Sequence, residues 1–141
     1  MTDAGNPPGA EQAARAEVHE LPFDRGTNAA ARALLAEFVE RKDLGTHVRQ
    51  DAALVLGELV ANGLDHGQPH RHRGLEVSWQ LEEDCLQLSV LDGGGHTVPH
   101  VVSPDPYAPR GRGLTIVQAL TRSWWVDDSN GTRVTAVVPL A

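Results

Sequence analysis

The sequence predicts an α+β fold: a mostly antiparallel mixed sheet with helices on one face. Three observations predict it. Two helical runs stand side by side near the start, two pairs of strand-like runs follow, and a third helical run separates those pairs. A length of 141 residues suits one domain with one real core. With 40% hydrophobic and 22% charged residues, the composition is globular rather than disordered.

The elements follow in order. Residues 1–17 carry Asp3, Pro7, Pro8 and Glu11 with no apolar centre, and read as a flexible tail before a domain over 18–141. Val18 to Phe23 reads as a short edge strand, because Pro22 could not serve a central one. Thr27 or Asn28 is the expected cap of a helix whose apolar set is Ala30, Leu34, Leu35, Phe38 and Val39, ending near Gly45. A second helix is expected from about Val48 to His66 on Ala52, Val55, Leu56, Leu59, Val60 and Leu64, stopped by Gly67 and Pro69.

Leu75 to Leu81 alternates apolar and polar residues, as do Leu86, Leu88 and Val90 leading into Asp92. With Glu82, Glu83 and Asp84 as the turn, these runs make an antiparallel hairpin. Gly93 to Gly113 is crowded with glycine and proline, and a loop that long in a small domain reads as functional. Leu114, Ile116, Val117 and Leu120 resume helical spacing. Trp124 to Val126 and Arg133 to Pro139 close the chain as two strands around Asn130-Gly131.

Charge and cysteine count exclude several classes. Twelve basic against 19 acidic residues give 12 − 19 = −7, which argues against a protein that binds nucleic acid by broad phosphate neutralisation. The single cysteine, Cys85, excludes an internal disulfide framework and a Cys-rich zinc module, and predicts a reducing, cytoplasmic setting. No apolar run approaches the roughly 18–20 residues of a membrane helix.

Three clusters carry chemistry. Glu58, Asn62 and His66 are spaced i, i+4, i+8 and share one helix face. Asn62 can offer a side-chain oxygen to a hard cation such as Mg²⁺, and Glu58 can act as a general base beside it. Asp92-Gly93-Gly94-Gly95 ends a strand; the carboxylate can accept from an amino group of a planar base, and glycine lets backbone approach a flat ligand. Gly111-Arg112-Gly113-Leu114 enters a helix, where free N–H groups and the helix dipole favour phosphate. Together these can enclose a nucleotide, with the loop between them as a lid.

In these residues the chain resembles the GHKL ATP-binding fold shared by the gyrase B, Hsp90, histidine kinase and MutL groups. Within it, the chain is most similar to the anti-sigma factor serine kinases of the RsbW and SpoIIAB type. Glu58 to Gly67 matches that group's N box, and Val90 to Gly95 resembles its first glycine box. Gly111 to Val117 matches its second, and Gly131-Thr132-Arg133-Val134 resembles its closing strand. The resemblance implies a Bergerat-type sandwich with ATP and Mg²⁺ as cofactors. It implies Glu58 as the base that takes a proton from a substrate serine, and Asn62 as the Mg²⁺ ligand. Asp92 and Gly94 would meet the adenine, Gly111, Arg112 and Gly113 the phosphates, and Thr132 would support the adenine. The implied partners are a sigma factor, held inactive, and an anti-anti-sigma factor of the STAS fold, in a partner-switching scheme. A homodimer is implied as well.

His96 stands where the first glycine box usually has glycine, Gly63 where the N box commonly has Ala, and the lid carries no Arg or Lys before Arg110. The alternative is therefore an anti-sigma binding module with a degenerate nucleotide site and no kinase activity. A further reading takes His66, His70 and His72 as an adventitious metal cluster. Of the tryptophan pair, one is expected in the core and the other on a surface that a partner could use. Cys85 is expected as a buried small side chain.

Overall fold

A computed structural model describes residues 16–69, 74–94 and 113–141 of the chain. The elements run β1 (Glu17–Pro22), α1 (Thr27–Arg41), α2 (Thr46–His66), β2 (Gly74–Leu81), β3 (Cys85–Asp92), α3 (Gly113–Leu120), β4 (Ser123–Asp127) and β5 (Thr132–Pro139). This is the order the sequence predicts. The strands form one five-stranded sheet in the order β1-β2-β3-β5-β4. Every neighbouring pair is antiparallel, so the sheet is antiparallel throughout where a mixed one was expected. β1 lies on the edge, as Pro22 requires.

Alternation along the strands sorts the sheet into two faces. Leu75, Val77 and Trp79 on β2, Leu86, Leu88 and Val90 on β3, and Val134, Ala136 and Val138 on β5 are buried in the core. The helices supply the other half of that core. α2 gives Ala52, Val55, Leu56, Leu59 and Val60, α1 gives Ala31, Leu35, Phe38 and Val39, and α3 gives Leu114 and Val117. α2 lies against β3 and β5, flanked by α1 on one side and α3 on the other. All three helices thus share one face of the sheet.

Two helix ends differ from expectation. Thr27 does not cap α1 but is its first residue, after Gly26, and no side chain caps the helix. The Thr27 hydroxyl is used elsewhere: it donates to the Pro22 carbonyl and accepts from the Asp24 N–H at 3.0 Å, tying the end of β1 to the start of α1. Asn28 is spent across the helix pair, its amide donating to the Gly57 carbonyl of α2 at 3.0 Å. α1 also stops at Arg41, short of Gly45. Asp43 takes a left-handed φ of 54°, which lets the Leu44 N–H return to the Val39 carbonyl at 3.1 Å while Leu44 packs on the core. Aspartate tolerates that conformation better than most residues, so no glycine is needed to end the helix.

One polar cluster fastens the sheet edge to α1. Trp79 is 1% exposed, and its indole N–H donates to Glu17 Oε2 at 3.1 Å. Arg41 donates to Glu17 Oε1 at 2.8 Å, and His19 Nε2 lies 2.9 Å from Oε2. Burial raises the Glu17 carboxyl, but the hydrogen bonds from Arg41, His19 and Trp79 outweigh it and hold the group below its ordinary value of 4.5. A carboxylate lowered in the folded state contributes stability that is present above its unfolded value and lost as pH falls through the folded one. Glu17→Ala should therefore cost about 1–3 kcal/mol at neutral pH, since it strands the buried indole N–H. In urea titrations run from neutrality to below pH 4.5, the difference between the two proteins should shrink as the pH drops; a difference that stays constant would show that Glu17 ionisation is not coupled to folding.

Candidate functional site

Asp92 is the last residue of β3 and shares its alternation with Leu88 and Val90, so its carboxylate enters the helix side of the sheet. It is 5% exposed. Oδ1 accepts the Gly94 N–H at 2.6 Å. Oδ2 lies against the C-terminal end of α2. A methyl group at Gly67 would collide with it, and one at Gly63 would sit 3.5 Å away. The carboxylate is thus held in a cradle whose wall is bare backbone.

The segment after α2 completes that wall. Gly67 ends the helix with its N–H on the Gly63 carbonyl at 2.9 Å. Gln68 then accepts the Gly93 N–H at 2.6 Å, so the chain leaving α2 is bonded to the chain leaving β3. On the other side, Thr132 of β5 pairs with Asp92 and is buried. Gly94, with a φ of 95°, lies beside Gly131 and Thr132; a side chain on it would stand 4.0 Å from Thr132 Oγ1. Gly131 has a φ of 78° and presses on the Asp92 carbonyl, leaving no room for a side chain. The Thr132 hydroxyl has no hydrogen-bond partner among the described residues.

Glu58 and Asn62 lie on α2 just before this cradle. Four residues of helix separate them by about 6 Å along one face. Asn62 is adjacent in sequence to Gly63, which touches the Asp92 carboxylate. Both side chains are half-buried, and neither has a hydrogen-bond or ion-pair partner among the described residues. A half-buried carboxylate and amide without partners retain their full capacity to bind.

The structure therefore brings Asp92, Gly94 and Thr132 together and places Asn62, with Glu58 one turn before it, on the helix whose end lies against the Asp92 carboxylate. Gly113 is the first residue of α3, and α3 packs on α2. Gly111, Arg112, the lid and His96 lie outside the described residues. So do His70, His72 and the side chain of His66, and the described residues hold no group of three or more His, Cys, Asp or Glu that could bind a metal. Gly67 and Gly131, read from sequence as a helix stop and a turn, prove to be walls of the site. The signal for Gly67 was its fixed distance from the Glu58-Asn62 pair; for Gly131 it was the threonine after it.

The donor set fits an adenine nucleotide with a hard cation. A buried carboxylate oxygen beside a strand end suits an exocyclic amino group. The amide oxygen of Asn62 suits Mg²⁺. A family model described as the histidine kinase-like ATPase domain matches residues 21–138. The chain is also similar in structure to the RsbU and RsbW domains of Rv1364c from Mycobacterium tuberculosis, with a TM-score of 0.65 at 18% identity. That match covers 88% of this chain and 32% of the other, so this chain spans about a third of that structure's length. At this identity the likeness is one of fold. No curated protein matches.

The two α2 glycines should answer alanine differently. Gly67→Ala drives a methyl into the Asp92 carboxylate and the Gly63 carbonyl, and should destabilise the protein by about 1–3 kcal/mol. Gly63→Ala meets Leu75 Cδ1 at 3.2 Å, a flexible atom, and gains helix propensity of about 1 kcal/mol; the two effects should nearly cancel. Urea unfolding of both variants checks this, and equal costs would contradict the cradle geometry.

Proposed function

The chain belongs to the histidine kinase-like ATPase domain family, and from that premise we propose that it is a partner-switching regulator. In this reading it binds and inhibits a sigma factor. It also phosphorylates a STAS-fold anti-anti-sigma factor on serine, using Mg-ATP, and works as a homodimer. The observation that carries the reading is the placing of Glu58 and Asn62, without partners among the described residues, on the helix that also walls the Asp92 cradle. A site that only bound nucleotide would need Asn62 and Asp92. Glu58 adds a base where a neutral hydroxyl would have to be deprotonated.

The roles follow from chemistry. Asp92 accepts from the amino group of the base, Gly63 and Gly67 let its carboxylate lie against α2, and Gly94 lets the ring approach the backbone. Thr132 supports the same ring from β5. Asn62 holds Mg²⁺ through its side-chain oxygen. Gly111, Arg112 and Gly113 receive the phosphates at the entry to α3, where backbone N–H groups and the helix dipole favour anions. Bound Mg-ATP supplies the phosphoryl group and neutralises its charge. Glu58 takes the serine proton on its carboxylate, so the oxygen can attack.

The partners are supported by the fold, which is similar to that of a structure comprising RsbU and RsbW domains. The described residues contain no helix long and apolar enough to cross a membrane. If the protein instead binds a sigma factor without chemistry, the nucleotide site has no work to do, and the same experiment separates the two.

Thermal melting with and without Mg-ATP should show stabilisation of about 2.7 kcal/mol at a hundredfold excess over the dissociation constant. Asn62→Ala should abolish the shift. Glu58→Gln should keep the shift yet lower phosphoserine formation on a STAS-fold substrate by about 10²-fold or more. No shift at millimolar nucleotide, with sigma factor still bound, would leave the binding-module reading standing.

A further inference from the structure

The Glu58 side chain has no partner among the described residues, yet the peptide unit that carries it is held from outside its own helix. The Gly57 carbonyl and the Glu58 N–H belong to one planar group. Both residues lie inside α2, so the carbonyl accepts the Ala61 N–H in the ordinary helical pattern. Its second lone pair is used as well. The Asn28 side-chain amide, on α1, donates to it at 3.0 Å. α1 packs on α2 along this seam.

Chemistry fixes which way Asn28 points. A carbonyl oxygen only accepts, so the NH2 end of the amide must face Gly57. The Oδ1 end then accepts the Nε–H of Arg32, one turn along α1, at 3.1 Å. Asn28 is half-buried and held at both ends. What it braces is a glycine in the body of a helix, the residue that holds its backbone angles least firmly there. Space does not demand glycine at this position. A methyl group on Gly57 would stand 3.5 Å from Asn28 Oδ1 and 3.5 Å from Arg32 Cδ, in ordinary contact. Those nearest neighbours are on α1, whereas Gly63 and Gly67 face the Asp92 carboxylate.

We infer that Asn28 is a positioning residue for Glu58: it holds the Gly57–Glu58 peptide plane, and with it the direction in which the Glu58 side chain leaves the helix. This role rests on the serine-kinase reading, in which the Glu58 carboxylate takes the proton of the substrate hydroxyl. A base must come within about 2.6–3.2 Å of the group it deprotonates, and a displacement of about 1 Å can cost about 10²-fold in rate. Asn28 need touch neither nucleotide nor substrate to have this effect.

In the full chain, Asn28→Ala and Asn28→Asp both remove the donor, and Asn28→Asp keeps the size of the side chain and an acceptor for Arg32. Each should lower kcat for phosphoserine formation on a STAS-fold substrate by about tenfold, with KM and the melting shift given by Mg-ATP unchanged. In a Glu58→Gln background Asn28→Ala should lower kcat no further, because the group it positions is gone. Gly57→Ala, which stiffens the helix, should restore part of the loss in Asn28→Ala. Circular dichroism checks that each variant is folded. Amide hydrogen exchange gives a readout free of activity: in both Asn28 variants the Glu58 N–H should exchange faster relative to that of Ala52, earlier in the same helix. An equal loss of kcat in both backgrounds, a loss confined to KM or to the nucleotide shift, or Glu58 exchange that moves only in step with Ala52 would overturn the inference. A wild-type protein that transfers no phosphate, while its Glu58 exchange still depends on Asn28, would instead remove the kinase reading and leave the brace standing.

Discussion

The position of one carboxylate governs the site. Burying Asp92 is costly unless donors replace water, and the Gly94 N–H supplies one of them at 2.6 Å. Its direction comes from the strand itself. Leu88, Val90 and Asp92 point to the same side because the pleat has a period of two, so the alternation that builds the core also delivers the carboxylate to α2. A slip of one residue in the pairing of β3 would turn the core residues and the carboxylate outward together. Core and site therefore cannot be specified separately. The glycines at the end of α2 follow from the same constraint, because any side chain at Gly67 would occupy the space the carboxylate needs.

Much of this was legible in the sequence. Every described element was readable from periodicity, and β1 was placed at an edge by Pro22 alone. The site was legible as three separate clusters, because helical spacing joins Glu58 to Asn62 and the strand pattern ends at Asp92. Their convergence was not, since no local rule says that the turn after α2 will hydrogen-bond the turn after β3. The Gln68–Gly93 bond is a tertiary fact. The end of α1 was misplaced for a related reason. Asp43 can adopt a left-handed conformation, and Leu44 is drawn onto the core, so the helix stops before the glycine that seemed to end it. Thr27 and Asn28 are good caps by type, yet tertiary partners claimed both side chains.

The two faces of the sheet divide its labour. One is apolar and carries the helices, and the carboxylate emerges only at its end. The other mixes short hydroxyls, one cross-strand ion pair and two exposed apolar ends. Trp124 and Trp125, adjacent in sequence, show the division: the first packs against the core and the second is exposed. A period of two makes that split unavoidable in any strand carrying two large apolar residues in succession.

The cost of the cradle bears on whether it is used. Glu58 and Asn62 are half-buried without partners among the described residues, where a tighter contact would use their hydrogen-bonding capacity. Asp92 is a buried acid. A surface that only gripped another protein through its sheet or its helices would need none of these, and apolar replacements would stabilise the same fold. Local features that work against stability, gathered at one end of an otherwise consistent core, are what a site kept ready for a ligand looks like. The nucleotide and the cation are the groups whose binding would make use of these side chains together.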